Sequence, residues 1–203
     1  MNTLLNRMSP SVTNMIRMDH AHVMTIFHQY EAAATPRVKK GLVGQVCVAL
    51  EIHAQLEEEI FYPALRAIAD TDFVRKSVPE HDELRRLINQ LRKSEPTDAG
   101  YDETFFQLMN NVLHHVADEE TLLLPAAERV LADQLGELGA RMTKRRLQLA
   151  APRTGELAGS MARSVSASAV VAGAGALLAC SYLLARPRGF RGATARHTGK
   201  TSR

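Results

Sequence analysis

The sequence predicts an all-α protein: an up-down-up-down bundle of four long helices with an extra C-terminal helix and a hydrophobic, basic tail. Three observations carry this prediction. Apolar residues in the first 150 positions recur at spacings of three and four, and glycine and proline fall mostly between the periodic stretches. The stretches are long and their connections short, which places successive helices antiparallel.

Taken in order, the first helix is expected from about Val12 to Ala34, with Ser11 or Thr13 as its cap and Thr35-Pro36 as its stop. The second is expected from about Arg37 to Ile60, with Pro63 just beyond. Ser77-Val78-Pro79-Glu80 has the Ser-x-x-Glu form of a capping box with proline in the first turn, so the third helix should open there and run to about Lys93. The fourth is expected from about Asp102 to Leu123, with Pro125 interrupting before an amphipathic stretch from about Ala126 to Leu149.

With 203 residues, 45% of them hydrophobic, the chain can bury a sizeable core. Its net charge of +3 would suit a nucleic-acid binder, but the charge is unevenly distributed. Residues 1–150 carry 17 Lys and Arg against 21 Asp and Glu, whereas residues 151–203 carry 8 against 1. The basic character therefore belongs to the tail, and with no base-reading motif beside it a nucleic-acid role is not indicated. Residues 164–185 are uncharged and flanked by Arg163, Arg186, Arg188 and Arg191. A helix of that length, about 33 Å, could span a membrane. Its richness in Ala, Ser and Gly equally fits a linker or a helix packed on the domain. The expected organisation is a bundle over 1–150, a linker over 151–163, a membrane-associated helix over 164–185 and a basic disordered tail over 186–203. The bundle would then be cytoplasmic, tethered through the tail. Cys47 and Cys180 form no Cys-x-x-Cys pair, which argues against a disulfide framework and against a thiolate metal site.

Seven of the eight histidines lie between His20 and His115. His53-Ala-Gln-Leu-Glu57-Glu58, followed by Pro63-Ala64, matches His115-Val-Ala-Asp-Glu119-Glu120, followed by Pro125-Ala126, without a gap. Asp19-His20 precedes the first pattern by 33 residues and Glu80-His81 precedes the second by 34, so the chain repeats with a period of 61 to 62. Residues four apart on a helix lie about 40° apart around the axis and about 6 Å along it, so His53 with Glu57, and His115 with Glu119, can each chelate one ion. His20 shares a face with Ile16, Met24 and Phe27; His81 with Val78, Leu84 and Ile88; His53 with Val46, Leu50 and Ile60; His115 with Leu108, Val112 and Leu122. Polar groups on apolar faces need partners, because an unpaired buried imidazole or carboxylate costs several kcal/mol. Two metal ions at the centre would satisfy all six residues. Imidazole and carboxylate without thiolate suit iron, with manganese or zinc less favoured. Glu57 and Glu119 would bridge the ions, and an oxo or hydroxo group would complete the bridge.

At these six positions, within about residues 12–135, the sequence resembles the hemerythrin-like, or HHE cation-binding, domain family. The resemblance implies a four-helix bundle holding a non-haem di-iron centre that binds dioxygen or related small ligands, with His20, His53, Glu57, His81, His115 and Glu119 as ligands. Oxygen-carrying members have a further histidine four residues after the third-helix histidine, and an Asp five residues after the last one. Here the first of these positions is Arg85 and the carboxylate is Glu119, at plus four. Two histidines per iron make the centre more symmetric than an oxygen carrier's. The pattern looks closer to branches associated with iron or oxygen sensing, nitric oxide, or peroxide handling.

The expected function is a di-iron protein that binds, senses or reduces dioxygen, nitric oxide or hydrogen peroxide. If it is an enzyme, it would be a peroxidase- or catalase-like or nitric oxide-handling oxidoreductase. The alternatives are an iron-buffering or metal- or oxygen-responsive sensor module without turnover, and a purely structural bundle. His114 with Asp118 is also an i, i+4 pair, but the repeat favours His115 and leaves His114 as a supporting or interface residue. Glu58 and Glu120 lie about 100° from the ligand positions, where glutamates are usually solvated, although Glu58 is also a candidate support for the ligand ring. Arg85 is either a surface residue or sits at the mouth of the site, holding an anion or a glutamate. His22 lies on the face opposite His20. The methionines of the first helix read as adaptable packing.

Overall fold

The computed structural model describes residues 9–67 and 72–165, and every regular element among them is helical. The first helix, α1 (Val12–Gln29), is capped by the Ser11 hydroxyl on the Asn14 amide. It stops five residues before the expected Ala34, because Tyr30 turns to an extended conformation and carries its ring onto Phe105. Thr35 then caps α2 (Pro36–Leu56) instead of ending α1, with Pro36 in the first turn, where its missing N–H is not needed.

Pro63 and Pro125 do not end the second and fourth helices as expected. A π-turn, Glu57–Phe61, joins α2 to α3 (Tyr62–Arg66), with the Tyr62 N–H reaching back five residues to the Glu57 carbonyl. A second π-turn, Glu119–Leu123, joins α5 (Tyr101–Asp118) to α6 (Leu124–Val130) in the same way. A proline cannot donate to the carbonyl four residues back, and the wider turn just before it lets the helix pass through. The extra residue also shifts the face that follows. Leu122, expected beside His115, is 47% exposed, while Leu123 and Leu124 are buried.

Helix α4 (Asp72–Lys93) begins five residues before the expected capping box and carries Pro79 in its interior. Ser77 and Glu80 have the local pattern of a cap, but tertiary partners claim both. Ser77 hydrogen-bonds the Tyr62 hydroxyl, and Glu80 binds His115. Gly100, at φ 85°, makes the left-handed turn into α5, a conformation that favours glycine.

Contacts at the two ends of the bundle fix its topology. At one end Tyr30 and Lys39 meet Asp102, and Gln90 meets Thr104, so the end of α1, the start of α2, the end of α4 and the start of α5 lie together. At the other end Arg17 of α1 binds Glu128 of α6. The four long helices therefore alternate in direction. Two apolar clusters fill the interior. One is built on Ile16, Leu56, Phe61, Leu124 and Met142, the other on Phe27, Leu42, Val46, Leu87 and Phe105. On α1 and α5 the candidate ligands lie between the two clusters in sequence, His20 between Ile16 and Val23, and His115 and Glu119 between Val112 and Leu123.

Helix α7 (Leu135–Ala150), the expected extra helix, lies over α1 and α2, with Arg146 gripping Asp19 and Thr143 touching Met15. Residues expected to form a linker instead form a 3-10 turn and helix α8 (Thr154–Ser164), which packs on α2. The reason lies in two glycines. A Cβ at Gly41 would sit 2.4 Å from the Ser164 amide nitrogen, and one at Gly44 would sit 2.4 Å from the Ser160 hydroxyl. Among the described residues no helix is long and apolar enough to cross a membrane. The span expected over 164–185 lies outside the described residues except for Ser164 and Val165, as does the basic tail.

Lys39 is buried, and its ammonium binds both Asp102 oxygens at 2.9 and 2.8 Å. Burial opposes ionisation of Asp102, but Lys39 and Tyr30 outweigh it and hold the carboxyl below its usual range. Replacing Asp102 with Asn should destabilise the protein by about 2–3 kcal/mol in urea unfolding, because it strands the buried ammonium. Since the folded pKa is depressed, this contribution is present above the unfolded value of about 3.9 and is lost as pH falls through the lower folded value. The gap between wild type and D102N should therefore close below about pH 4. Gly41→Ala should loosen α8 and cost about 1–3 kcal/mol, read as earlier proteolysis near residue 153.

Candidate metal centre

Seven residues meet at the centre of the bundle: His20, His53, Glu57, Tyr62, His81, His115 and Glu119, all of them buried. Each imidazole turns Nε2 inward. His53 Nε2 lies 3.2 Å and His81 Nε2 3.4 Å from Glu57 Oε2, while His20 Nε2 lies 3.3 Å and His115 Nε2 3.6 Å from Glu119 Oε2. The rings pair as His20 with His53, centroids 5.0 Å apart, and His81 with His115, 4.8 Å apart. The donor atoms form two groups: His20, His53, Glu57 and Glu119, and Glu57, His81 and His115, with the atoms of each group within 4.8 Å of one another. Glu57 belongs to both.

The outward nitrogens explain how the rings are held. Every Nδ1 meets a carboxylate: His20 on Glu120 at 2.9 Å, His53 on Asp19 at 3.4 Å, His81 on Glu58 at 2.9 Å and His115 on Glu80 at 2.9 Å. A carboxylate at Nδ1 accepts its N–H and orients the ring with Nε2 inward, where His81 Nε2 and His115 Nε2 lie 3.3 Å apart, within hydrogen-bond reach of each other. Each bond crosses between neighbouring helices, from α1 to α2, from the end of α2 to α4, from α4 to α5 and from the end of α5 to α1. Two of these carboxylates are themselves anchored, Asp19 by Arg146 and Glu58 by Arg85 through two contacts of 2.7 Å.

Electrostatics follow from packing imidazoles around carboxylates. Burial alone would push the Glu57 carboxyl up, but the surrounding histidines hold it well below the usual range. Burial would lower the His81 imidazole, yet Glu57 and Glu58 raise it to about 9; His20 and His115 are raised too, by glutamates that outweigh their burial. Tyr62 donates toward Glu119 Oε1 at 2.9 Å and lies 3.1 Å from Glu57 Oε2, and burial beside those two charges pushes its own ionisation upward.

One feature of the donor set tests directly whether it fits a metal. His20 Nε2, His53 Nε2, Glu57 Oε1 and Glu119 Oε2 are buried and have no hydrogen-bond partner. Buried polar atoms without partners are rare in folded proteins, and these four are among the inward atoms of the cluster. The nitrogen and oxygen donors, without sulfur, suit a hard or borderline cation.

The structure brings together all six residues singled out in the sequence. It places Glu58 on His81 and Arg85 on Glu58 and Asp82, so both support the ring from outside. It does not bring in His114, which is exposed on the outer face of α5; His22 and His28 are exposed as well. Sequence reasoning missed four contributors. Asp19 and Glu80 are visible in the sequence as markers of the repeat and Glu120 as the doublet partner of Glu119, but Glu120 reads as solvated and nothing local gives Asp19 or Glu80 a role. Tyr62 carried no repeat signal, because its counterpart is Leu124.

The sequence matches the family model described as the hemerythrin HHE cation binding domain over residues 11–127 and again over 72–179. The second match starts 61 residues after the first, which is the period of the internal repeat. A protein named DNA nickase from Nostoc sp. is 28% identical over 127 residues, 63% of this chain and 36% of that protein, so the chain spans about a third of its length. The uncharacterized protein Rv2633c of Mycobacterium tuberculosis is 30% identical over 125 residues, 59% of this chain and 74% of that protein. In three dimensions the chain resembles the crystal structure of a hemerythrin HHE cation binding domain-containing protein, the Rv2633c homolog from Mycobacterium kansasii. The TM-score is 0.62 at 20% identity, over 77% of this chain and 99% of that one, a likeness of fold. The duplicated helix pairs, the inward ring of histidines and glutamates and the family match agree, and this metal-binding chain belongs to the hemerythrin HHE cation-binding domain family.

Proposed function

We propose that the centre holds two iron ions and that the protein binds and reduces a small oxidant, dioxygen, nitric oxide or hydrogen peroxide. The observation that carries this reading is the set of four unpartnered inward atoms, on His20, His53, Glu57 and Glu119, inside a ring whose outward nitrogens are all committed. One ion would take His20 and His53, the other His81 and His115, with Glu57 and Glu119 between them. Bound iron would supply the change of oxidation state and the open coordination position that no side chain here offers.

The chain's own residues do the rest. The outer carboxylates orient each imidazole so that Nε2 would face the ions. Tyr62 holds a proton between the two inner carboxylates, where it can be donated to a ligand that gains negative charge. The apolar clusters on either side exclude bulk water and strengthen each electrostatic contact. Arg85, where an oxygen carrier has a further histidine, is held outside the ring by Glu58 and Asp82. Its engagement there supports two imidazoles per ion and a vacant position for chemistry over reversible carriage.

Metal analysis of protein loaded anaerobically with Fe(II) should find about two irons per chain; a folded protein that takes up none would end this reading. Glu57→Gln and Glu119→Gln should each abolish stoichiometric binding. Glu80→Gln and Glu58→Gln should leave the stoichiometry intact and weaken affinity about 10- to 100-fold in chelator competition, as expected for partners that orient a ligand. Tyr62→Phe should retain both irons and slow steady-state peroxide consumption by about 10-fold or more if Tyr62 donates its proton. A loaded protein with no turnover at all would favour the sensor reading.

A further inference from the structure

The internal repeat relates α1 to α4 by 61 residues and the end of α2 to the end of α5 by 62. Around the centre, however, the two halves are not equivalent. On one side, Met15, Ile16, Leu56 and Phe61 are all buried in one apolar cluster, and α7 lies over them through Thr143 and Arg146. At the corresponding positions the other half has Lys76, Ser77, Asp118 and Leu123. These four, with Glu80, line a crevice of about 10 Å³ between α4 and the end of α5 that reaches His115 and Glu119.

The crevice is graded from outside to inside. Lys76 and Asp118 are exposed at its rim, Ser77 and Leu123 are 4% and 2% exposed, and His115 and Glu119 are buried at its floor. Ser77 also hydrogen-bonds Tyr62, whose counterpart in the other half, Leu124, is a core residue. Lys76, Ser77 and Asp118 thus put polar groups where the twin has Met15, Ile16 and Leu56, and with Glu80 they line the crevice from solvent to His115 and Glu119. Its volume admits about one water molecule at a time. A hydrogen-bonding molecule on this path finds partners at each step, whereas the sealed twin would strip it of them at a cost of several kcal/mol.

From this broken symmetry we infer that the crevice between α4 and the end of α5 is the entry route to the metal centre, selecting small hydrogen-bonding molecules and delivering them to His115 and Glu119 at its floor. The inference rests on the dinuclear reading for its destination but not for the route itself. Lys76 and Asp118 set the charge at the entrance, and Ser77 sets the bore.

Two experiments test it, one with iron and one without. In iron-loaded protein, azide association is followed by stopped-flow absorbance. Giving Ser77 the residue of its sealed twin, Ser77→Ile, should slow association at least 10-fold while iron content is unchanged and the equilibrium Kd moves less than about 3-fold. A wild-type association rate in loaded S77I would overturn the route. If S77I does not fold, Lys76→Met with Asp118→Leu at the exposed rim serves the same purpose, with a slowing of 3-fold or more expected and no change counting against the proposal. In metal-free protein, Ser77→Cys should react with methyl methanethiosulfonate at least 10-fold faster than Ile16→Cys, above the background of Cys47 and Cys180, and should resist fluorescein maleimide. Equal labelling of the two cysteines would overturn the route. Should wild type take up no iron while S77C still labels selectively, the dinuclear reading fails and the passage stands.

Discussion

The rest of the molecule answers to the burial of four imidazoles and two carboxylates in the middle of a helical bundle. Each would cost several kcal/mol if left alone there. The compensation is layered. The inner carboxylates sit among the imidazoles, the outward nitrogens are taken by a second set of carboxylates, and arginines anchor two of those in turn. Four inward atoms are still unsatisfied, and they are the ones a cation would claim. Two apolar clusters close the layer from both ends, so the polar groups cannot relax toward water without dismantling the core.

Much of this was legible in the sequence because duplication leaves a signal that chance does not imitate. Helical period, alternating direction and the six inward residues all follow from the spacing of His and Glu against apolar positions. What escaped has physical reasons. Pro63 and Pro125 read as stops because a proline removes an i to i−4 bond, and nothing local announces that a π-turn will absorb the loss. The same turns moved the buried face from Leu122 to Leu123. Ser77 and Glu80 have the chemistry of a capping box, and tertiary partners took both. Helix α8 was hidden because small residues that read as a linker also allow close backbone approach, visible only once Gly41 and Gly44 are known to face it. The roles of Asp19, Glu80 and Glu120 escape a single-helix argument, which stops at the helix surface, whereas their partners lie on the next helix.

Where the repeat fails is as informative as where it holds. The inner ring and its supporting carboxylates are duplicated nearly residue for residue. Tyr62 and Ser77 face Leu124 and Ile16 across the pseudo-symmetry, and Arg146 reaches Asp19 from a helix that lies outside the repeat. The two halves of the centre thus share donor types but not surroundings. Glu57 takes part in both donor groups and is the most deeply buried of the six ligand candidates alongside His81.

The acid doublets share one sense of rotation around the bundle. On α1 and α4 the supporting acid comes one residue before the histidine, as in Asp19-His20 and Glu80-His81; at the ends of α2 and α5 it comes one residue after the inner glutamate, as in Glu57-Glu58 and Glu119-Glu120. One residue is a rotation of about 100° in a right-handed helix, and a step backward on an upward helix turns the same way in space as a step forward on a downward one. All four acids therefore point to the same side of their helices, each toward the next helix round the ring. Four helices running up, down, up and down can be wound clockwise or anticlockwise. In this winding each acid meets the histidine of the helix that follows it in the chain, and the fourth, Glu120, closes the ring on His20; in the mirror winding the same rotation would turn each acid toward the helix that precedes it.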